Sequence, residues 1–317
     1  MWVQPRSVAA DTHLRPRTTR DRTPLSFPPP PPVFLALGLL IVFGSVIGGY
    51  VMHHGQLGVL IQVNEFLIIG GAGLGSLVIS HGMGGVKSAF AAVFGLLKPN
   101  PFGKTAYSEL LQVLYEVFQK ARKDGLVGLE SHIEDPGTSD IFTKFPAFAK
   151  NHHAVALLAD TLKVLLTGAV EDHNLAEILD IDLDQQLEAN MHTPHAINGV
   201  SDAMPGFGIV AAVLGVIITM GSIGGAASEI GEKVAAALVG TFVGILVSYG
   251  VLGPMAKAIE GRVKAEHAYL CVIRTALLSF ARGDAPMTAV EFARRNVDPH
   301  ERVSFSELEA LTRKRAA

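Results

Sequence analysis

The side chains able to do chemistry in this 317-residue chain are few and poorly placed for catalysis. A single cysteine, Cys271, excludes an internal disulfide and a four-thiolate metal centre. His152 and His153 are adjacent, so they do not share a helix face. His192 and His195 are three apart, but no cysteine or obvious carboxylate completes a ligand set. His81 and the His53–His54 pair sit at the ends of apolar runs, as interfacial residues do. The acidic residues between 171 and 188 read as a solvated face, and there is no glycine-rich phosphate loop. These residues predict no enzyme site, no metal site and no cofactor. What remains is Glu65, the one carboxylate near an apolar run. Ion translocation needs an ionisable or strongly coordinating group within the membrane. One carboxylate at the edge of a run leaves such a pathway incomplete. Either the chain conducts no ion, or a partner supplies the carboxylate.

The runs themselves set the fold class. Only 17% of residues are charged and 49% are hydrophobic, where a soluble domain carries about 25% charged residues. Four stretches stand out: Val33 to Met52, Leu57 to Ser80, Pro205 to Gly225 and Val234 to Leu252. Each approaches the roughly 20 residues that a helix needs to cross hydrocarbon. Any one of them alone could be a buried globular helix; four together, with the shortage of charge, predict an all-α polytopic membrane protein. The net charge of −3 argues against nucleic acid as a partner. The 33 glycines point to close helix packing, with small residues four apart at Gly44 and Gly48, Gly71 and Gly75, and Gly240 and Gly244.

Positive residues orient the crossings. The connection from His53 to Glu65 has no Lys or Arg, and Ala226 to Lys233 has only Lys233. Five arginines precede the first run, nine Lys and Arg lie between Gly82 and Met204, and eleven follow Pro254. Both termini and the middle segment are therefore expected in the cytoplasm. In that segment Thr105 to Ala121 reads as an amphipathic helix, with Tyr107, Leu110, Leu111, Leu114, Val117, Phe118 and Ala121 on one stripe and Gly125 as its stop. Further helices are expected over Leu129 to Ile133, from Ser139, over His152 to Gly168, over Asn174 to Met191 and over Met255 to Phe280. Pro205 is expected to start the third crossing and Pro254 to end the fourth, where proline costs little; at one membrane depth they could equally set a bend that moves. Thr241 is a polar group on an apolar helix, and its ordinary reading is a hydroxyl bonded one turn back.

Residues 1–32 differ from the rest: arginines, then Pro28 to Pro32, then an abrupt apolar start at Val33. Such sequence favours polyproline II and builds no core. A signal n-region, a disordered tail and upstream sequence before a true start at Val33 are the open readings, with the last preferred. The expected organisation is a 1–32 extension, crossings one and two over 33–81, a helical cytoplasmic domain over 82–204, crossings three and four over 205–254, and a cytoplasmic helix and tail over 255–317.

Two early crossings, a long cytoplasmic segment, two late crossings and a basic tail resemble flagellar motor stator subunits of the MotA type, within the MotA/TolQ/ExbB proton channel superfamily. The motifs are GSVIGGYVMHHG at 44–55, GAGLGS at 71–76, ARKDGLVGLESHIEDP at 121–136, SDAMPGFGIVAAVLGVIITMG at 201–221 and GTFVGILVSYGVLGPMA at 240–256. The resemblance covers about 33–312. It implies a bacterial inner-membrane subunit that surrounds the single transmembrane helix of a MotB-like partner, whose aspartate binds the ion. It also implies a five-to-two assembly that converts proton flux into torque on the rotor switch protein FliG. By the same resemblance, Pro205 and Pro254 take the place of two functional prolines, Thr241 and Ala212 line the ion path, and Arg122 and Glu130 engage FliG. An ExbB-like or TolQ-like energiser of an outer-membrane process is the alternative, though those proteins have three crossings. A membrane scaffold without ion flux is a third class, separable by a flux assay with the partner.

The charge count makes a direct prediction. With Cys271 replaced by serine, single cysteines placed near His54 or near Ala227 should react with an impermeant maleimide in intact cells, and a cysteine at position 160 should react only after lysis. Labelling at 160 in intact cells would reverse the orientation.

Overall fold

A computed structural model of the chain describes residues 31–168, 171–221, 223, 224 and 226–316; the extension expected over 1–32 lies almost wholly outside them. The described residues form helices and no sheet. Four helical segments are long and apolar enough to cross a membrane. The first is α1, Pro32–Met52. A short helical turn at Leu57–Leu60 leads into α2, Val63–Gly95. The third is α5, Asp172–Met220, and the fourth joins α6, Ala227–Val247, to α7, Gly253–Ala281. Between them lie α3, Lys104–Asp124, and α4, His152–Leu166; α8, Pro286–Asn296, and α9, Phe305–Ala316, close the chain.

The cytoplasmic core is built around α3. All seven residues of the predicted stripe are buried, and the helix stops at Gly125, whose φ of 76° suits glycine. Phe118 stacks on Phe280 of α7 with ring centroids 4.4 Å apart. Tyr269 of α7 packs between Phe102 and Tyr107 at 5.4 and 5.3 Å. Phe142, Phe145 and Phe148, from the irregular segment before α4, fill the same core, with Leu158 and Leu162 of α4 and Leu175, Leu179 and Leu183 of α5. Asn151 caps α4, its side-chain oxygen accepting the Ala154 N–H at 3.1 Å.

In the apolar half, α5 and α6 come together along a seam of small residues. A Cβ built on Gly208 would lie 2.7 Å from the Gly240 carbonyl, and one on Gly244 would lie 2.7 Å from the Met204 carbonyl. Gly215 meets Ala237 just as closely, at 2.6 Å to its Cβ. Lipid tails give helices no hydrophobic reason to associate, so contact of this kind supplies the dispersion that holds them. At the seam's end the Ser201 hydroxyl donates to the Ser248 carbonyl at 2.9 Å, with both serines buried.

The two prolines require a correction. Pro205 does not start a helix; it lies inside the 49-residue helix α5, as does Pro194. Pro254 does not end one either. Residues Ser248–Leu252 form a π-helical turn that carries α6 directly into α7. Proline lacks the N–H that would bond one turn back, and its ring crowds that carbonyl. One extra residue in the turn relieves the crowding, and the backbone N–H of Gly253 still finds the Ser248 carbonyl. A helix in hydrocarbon that stopped at a proline would expose further backbone groups, so continuity wins. By contrast, α2 does bend, at Gly82 (φ 64°, ψ −176°), a conformation only glycine adopts readily. Its far end is capped by Arg262 of α7, whose guanidinium donates to the carbonyls of Gly95, Leu96 and Lys98.

Two outcomes follow. Gly208→Leu must push α5 away from the α6 backbone; overpacking of this kind costs about 1–3 kcal/mol, and the detergent-solubilised protein should melt lower and accumulate less than Gly206→Leu, where no atom lies within 4 Å of a built Cβ. In α8, hydrogen bonds from Arg294 and Arg295 hold the Glu291 carboxyl down at about 2. A depressed folded-state value means that its stabilisation is complete above the ordinary carboxylate range, near 4.5, and is lost as pH falls toward 2. Thermal unfolding between about pH 5 and pH 2 should therefore fall more steeply in wild type than in Glu291→Gln.

Candidate functional site

Two regions hold the residues expected to act. The first is the seam. Pro205 and Ala212 lie half-buried on α5, and Thr241 lies half-buried on α6. The close approach of Gly208 to the Thr241 Cα, 3.2 Å from a built Cβ, brings these residues to one helix pair. Pro254 is exposed, one turn beyond Ser248, and its π-helical turn is tied to α5 through Ser201. The hydroxyl expected to bond one turn back does not do so at Thr241. Thr219 behaves that way, donating to the Gly215 carbonyl at 2.8 Å, but Thr241 makes no hydrogen bond to the described residues. Its oxygen is left free on an apolar helix.

Glu65 keeps its place at the edge of the second apolar run but is buried in protein. The turn at Leu57–Leu60 folds against α6, and Glu65, in the first turn of α2, is 7% exposed. One carboxyl oxygen, Oε2, has no hydrogen-bond partner and sits where a Cβ on Gly240 would be 2.8 Å away. Of the glycine pairs expected to mediate packing, Gly240 and Gly244 are in tight contact, whereas Gly44, Gly48, Gly71 and Gly75 meet nothing within 4 Å in the single chain. Gly208 and Gly215 were not among the spacings of four. A seven-residue small-residue interval on α5, with Ala211 and Ala212 inside it, was the signal available.

The second region is cytoplasmic. Arg122 occupies the last turn of α3, exposed, and donates to the Gly283 carbonyl at 3.4 Å. The stripe of α3 faces the core, so the other face carries Lys120, Arg122, Lys123 and Asp124 outward, Lys120 pairing with Asp124 at 3.3 Å. A cleft of about 820 Å³ opens beside them, walled also by Glu116, His132, Asp140 and Lys144. Lys144 stands 3.8 Å from Glu116, and His132 Nδ1 lies 3.0 Å from the Ser139 hydroxyl and 3.3 Å from Asp140. Glu130 is exposed at the start of the short helix Glu130–Glu134, outside the cleft wall. The structure thus gives Arg122 to a cleft of mixed charge and sets Glu130 on a separate element beyond Gly125. Exposed charges so arranged contribute little to folding, but they can orient a charged partner. Among the described residues no group of three His, Cys, Asp or Glu side chains could hold a metal ion.

Comparison with known proteins bears on the family and the fold. Residues 36–125 match the family model "Motility protein A N-terminal", and residues 149–270 match "MotA/TolQ/ExbB proton channel family". Motility protein A of Salmonella typhimurium and that of Escherichia coli are each 35% identical over 282 residues, covering 89% of this chain and 95% of the relative. The fold is that of a C. jejuni MotAB structure, with a TM-score of 0.67 at 20% identity over 86% of this chain and 99% of the other. At 35% identity over 89% of its length, the chain is a member of the MotA/TolQ/ExbB proton channel family, close to Motility protein A.

Proposed function

We propose that the chain is a stator subunit of a bacterial flagellar motor. With a MotB-like partner it forms a proton channel in the inner membrane and turns proton flux into torque on the rotor protein FliG. One observation carries this reading: a tight, nearly uncharged seam between α5 and α6 is joined, through α5 and α7, to the packed core on which the exposed charges of α3 are mounted. Residues 204–221 of α5 contain no ionisable group, and residues 234–252 contain only the exposed Tyr249. A proton path along that seam therefore needs a carboxylate from another chain. The name MotAB carried by the similar solved structures supports a partner of that kind and an assembly of several copies around it. A pentamer surrounding two partner chains is the arrangement proposed.

In this reading 33–81 and 205–254 are the membrane parts, 82–204 and 255–317 are cytoplasmic, and both termini lie inside. Pro205 and the π-helical turn before Pro254 are the places where α5 and α6 can change shape. Thr241 and Ala212 line the ion path. Protonation of the partner's carboxylate would alter the seam, and α5 and α7 would carry the movement to the cytoplasmic core, which they enter without a break. Arg122 and Glu130 form the contact with the rotor. The match of residues 36–125 to the Motility protein A N-terminal model favours this over an ExbB-like or TolQ-like energiser, and a FliG-binding assay separates the two.

Reversing the rotor-facing charges tests it. Arg122→Glu or Glu130→Lys should lower tethered-cell torque roughly twofold at normal protein levels, and the double reversal should lower it further. A matching reversal on the rotor's charged helix should recover part of the loss. Full torque from the double reversal against an unaltered rotor would show that the contact lies elsewhere.

A further inference from the structure

Glu65 is the only acidic or basic residue among the described residues that the fold buries. It is 7% exposed, and its Oε2 makes no hydrogen bond. Buried polar groups are almost always paired, and an ionisable group without a partner inside a membrane protein is a functional group by default. The packing surrounding it is specific. Oε2 is pressed against the α6 backbone at Gly240, 2.8 Å from where a Cβ would stand, and that same Cβ would meet Ala211 at 3.0 Å. Only glycine at 240 leaves the carboxyl its place. Glu65 makes no ion pair with the described residues: residues 204–221 and the turn Leu57–Leu60 hold no titratable group, the charges of α6 are Glu229, Glu232 and Lys233, about two turns or more before Gly240 with Lys233 paired to Glu229 at 2.9 Å, and the exposed Tyr249 of the π-helical turn lies about two turns beyond it. The residue after Gly240 is Thr241, whose hydroxyl is also without a partner.

We infer that Glu65 is an ion-collecting group on the non-cytoplasmic side of the pathway, with Gly240 as its positioning residue. The inference rests on the stator reading and extends it. Glu65 follows the 53–62 connection, which carries no Lys or Arg and lies outside in the proposed topology. A hydronium ion there transfers its proton to the Glu65 carboxylate and leaves as water. The carboxyl then gives that proton to the partner's carboxylate and returns to its starting form, so no oxidant or reductant is needed. Buried and uncharged, the protonated side chain fits the apolar wall that surrounds it.

The test is tethered-cell speed against external pH, in a strain lacking its own subunit and supplied with this chain and its MotB-like partner. Glu65→Gln removes the proton-carrying group and keeps its shape. Its deficit relative to wild type should grow from about twofold near pH 6 to about tenfold near pH 8, because a collecting group matters most when protons are scarce. Glu65→Asp, which restores a carboxyl, should recover most of the alkaline loss. A speed ratio that stays constant across pH, or no deficit at all, overturns the inference, since a merely structural role lowers speed equally at every pH. If Glu65→Gln fails to accumulate, the pH profile of Glu65→Asp decides: a profile parallel to wild type with lower speed throughout rejects proton collection. If wild type itself fails to restore motility with its partner, it is the stator reading that fails, and the two failures are distinguishable.

Discussion

Backbone-to-backbone proximity between α5 and α6 is the constraint on which the rest of the molecule depends. Two helices in hydrocarbon gain nothing by hiding apolar surface from each other, because lipid is as apolar as they are. They gain by fitting. Glycines at 208, 215, 240 and 244 remove the side chains that would hold the helices apart. Two polar features of the membrane half are then placed by that fit. Glu65 lies against the α6 backbone only because Gly240 has no side chain, and Ser201 reaches the Ser248 carbonyl only because the helices are already in register. Shifting either helix by one residue would put Phe, Ile, Leu, Val or Thr where glycine now stands.

The same two helices leave the membrane half without interruption. At 1.5 Å per residue, α5 is about 70 Å long, and it delivers Leu175, Leu179 and Leu183 to the core that surrounds α3. From the other side α7 brings Tyr269, Ile273 and Leu277 into that core. Arg262 binds the last carbonyls of α2, so the second apolar helix is tied to the same rod. A displacement at the seam has little means of dying out before the cytoplasmic domain. Packed interiors switch between discrete arrangements more readily than they deform, and the exposed charges at the end of α3 are rigidly mounted on such an interior.

The readable part of this design was periodic or compositional. The α3 stripe, the Gly125 stop and the four apolar helices were legible because local spacing and hydrophobicity specify them. The unreadable part was decided by competition between local and membrane-wide terms. Proline marks a helix boundary in water, where freed carbonyls find solvent. In hydrocarbon they do not, so α5 runs on through Pro205, and the chain accommodates Pro254 with a π-helical turn. Glu65 looked interfacial because a carboxylate at the end of an apolar run usually reaches water. Its burial comes from packing against Gly240, 175 residues further along the chain, which no local pattern announces. Arg122 and Glu130 came from resemblance alone. The sequence marked them as charged and exposed, and nothing in their spacing distinguishes them from an ordinary solvated surface.

One feature of α1 bears on how several copies could be built together. None of its residues is buried, and it touches its own chain chiefly near the π-helical turn, with Val42 against Gly250. The bilayer, more than the protein, keeps this helix upright. It adds only Leu35 and Val42 to the packing of the protomer, so the seam and the cytoplasmic core do not depend on where it stands. In the proposed ring of protomers such a helix would be a stave that neighbouring copies hold in place, and it could be repositioned without dismantling the copy that owns it.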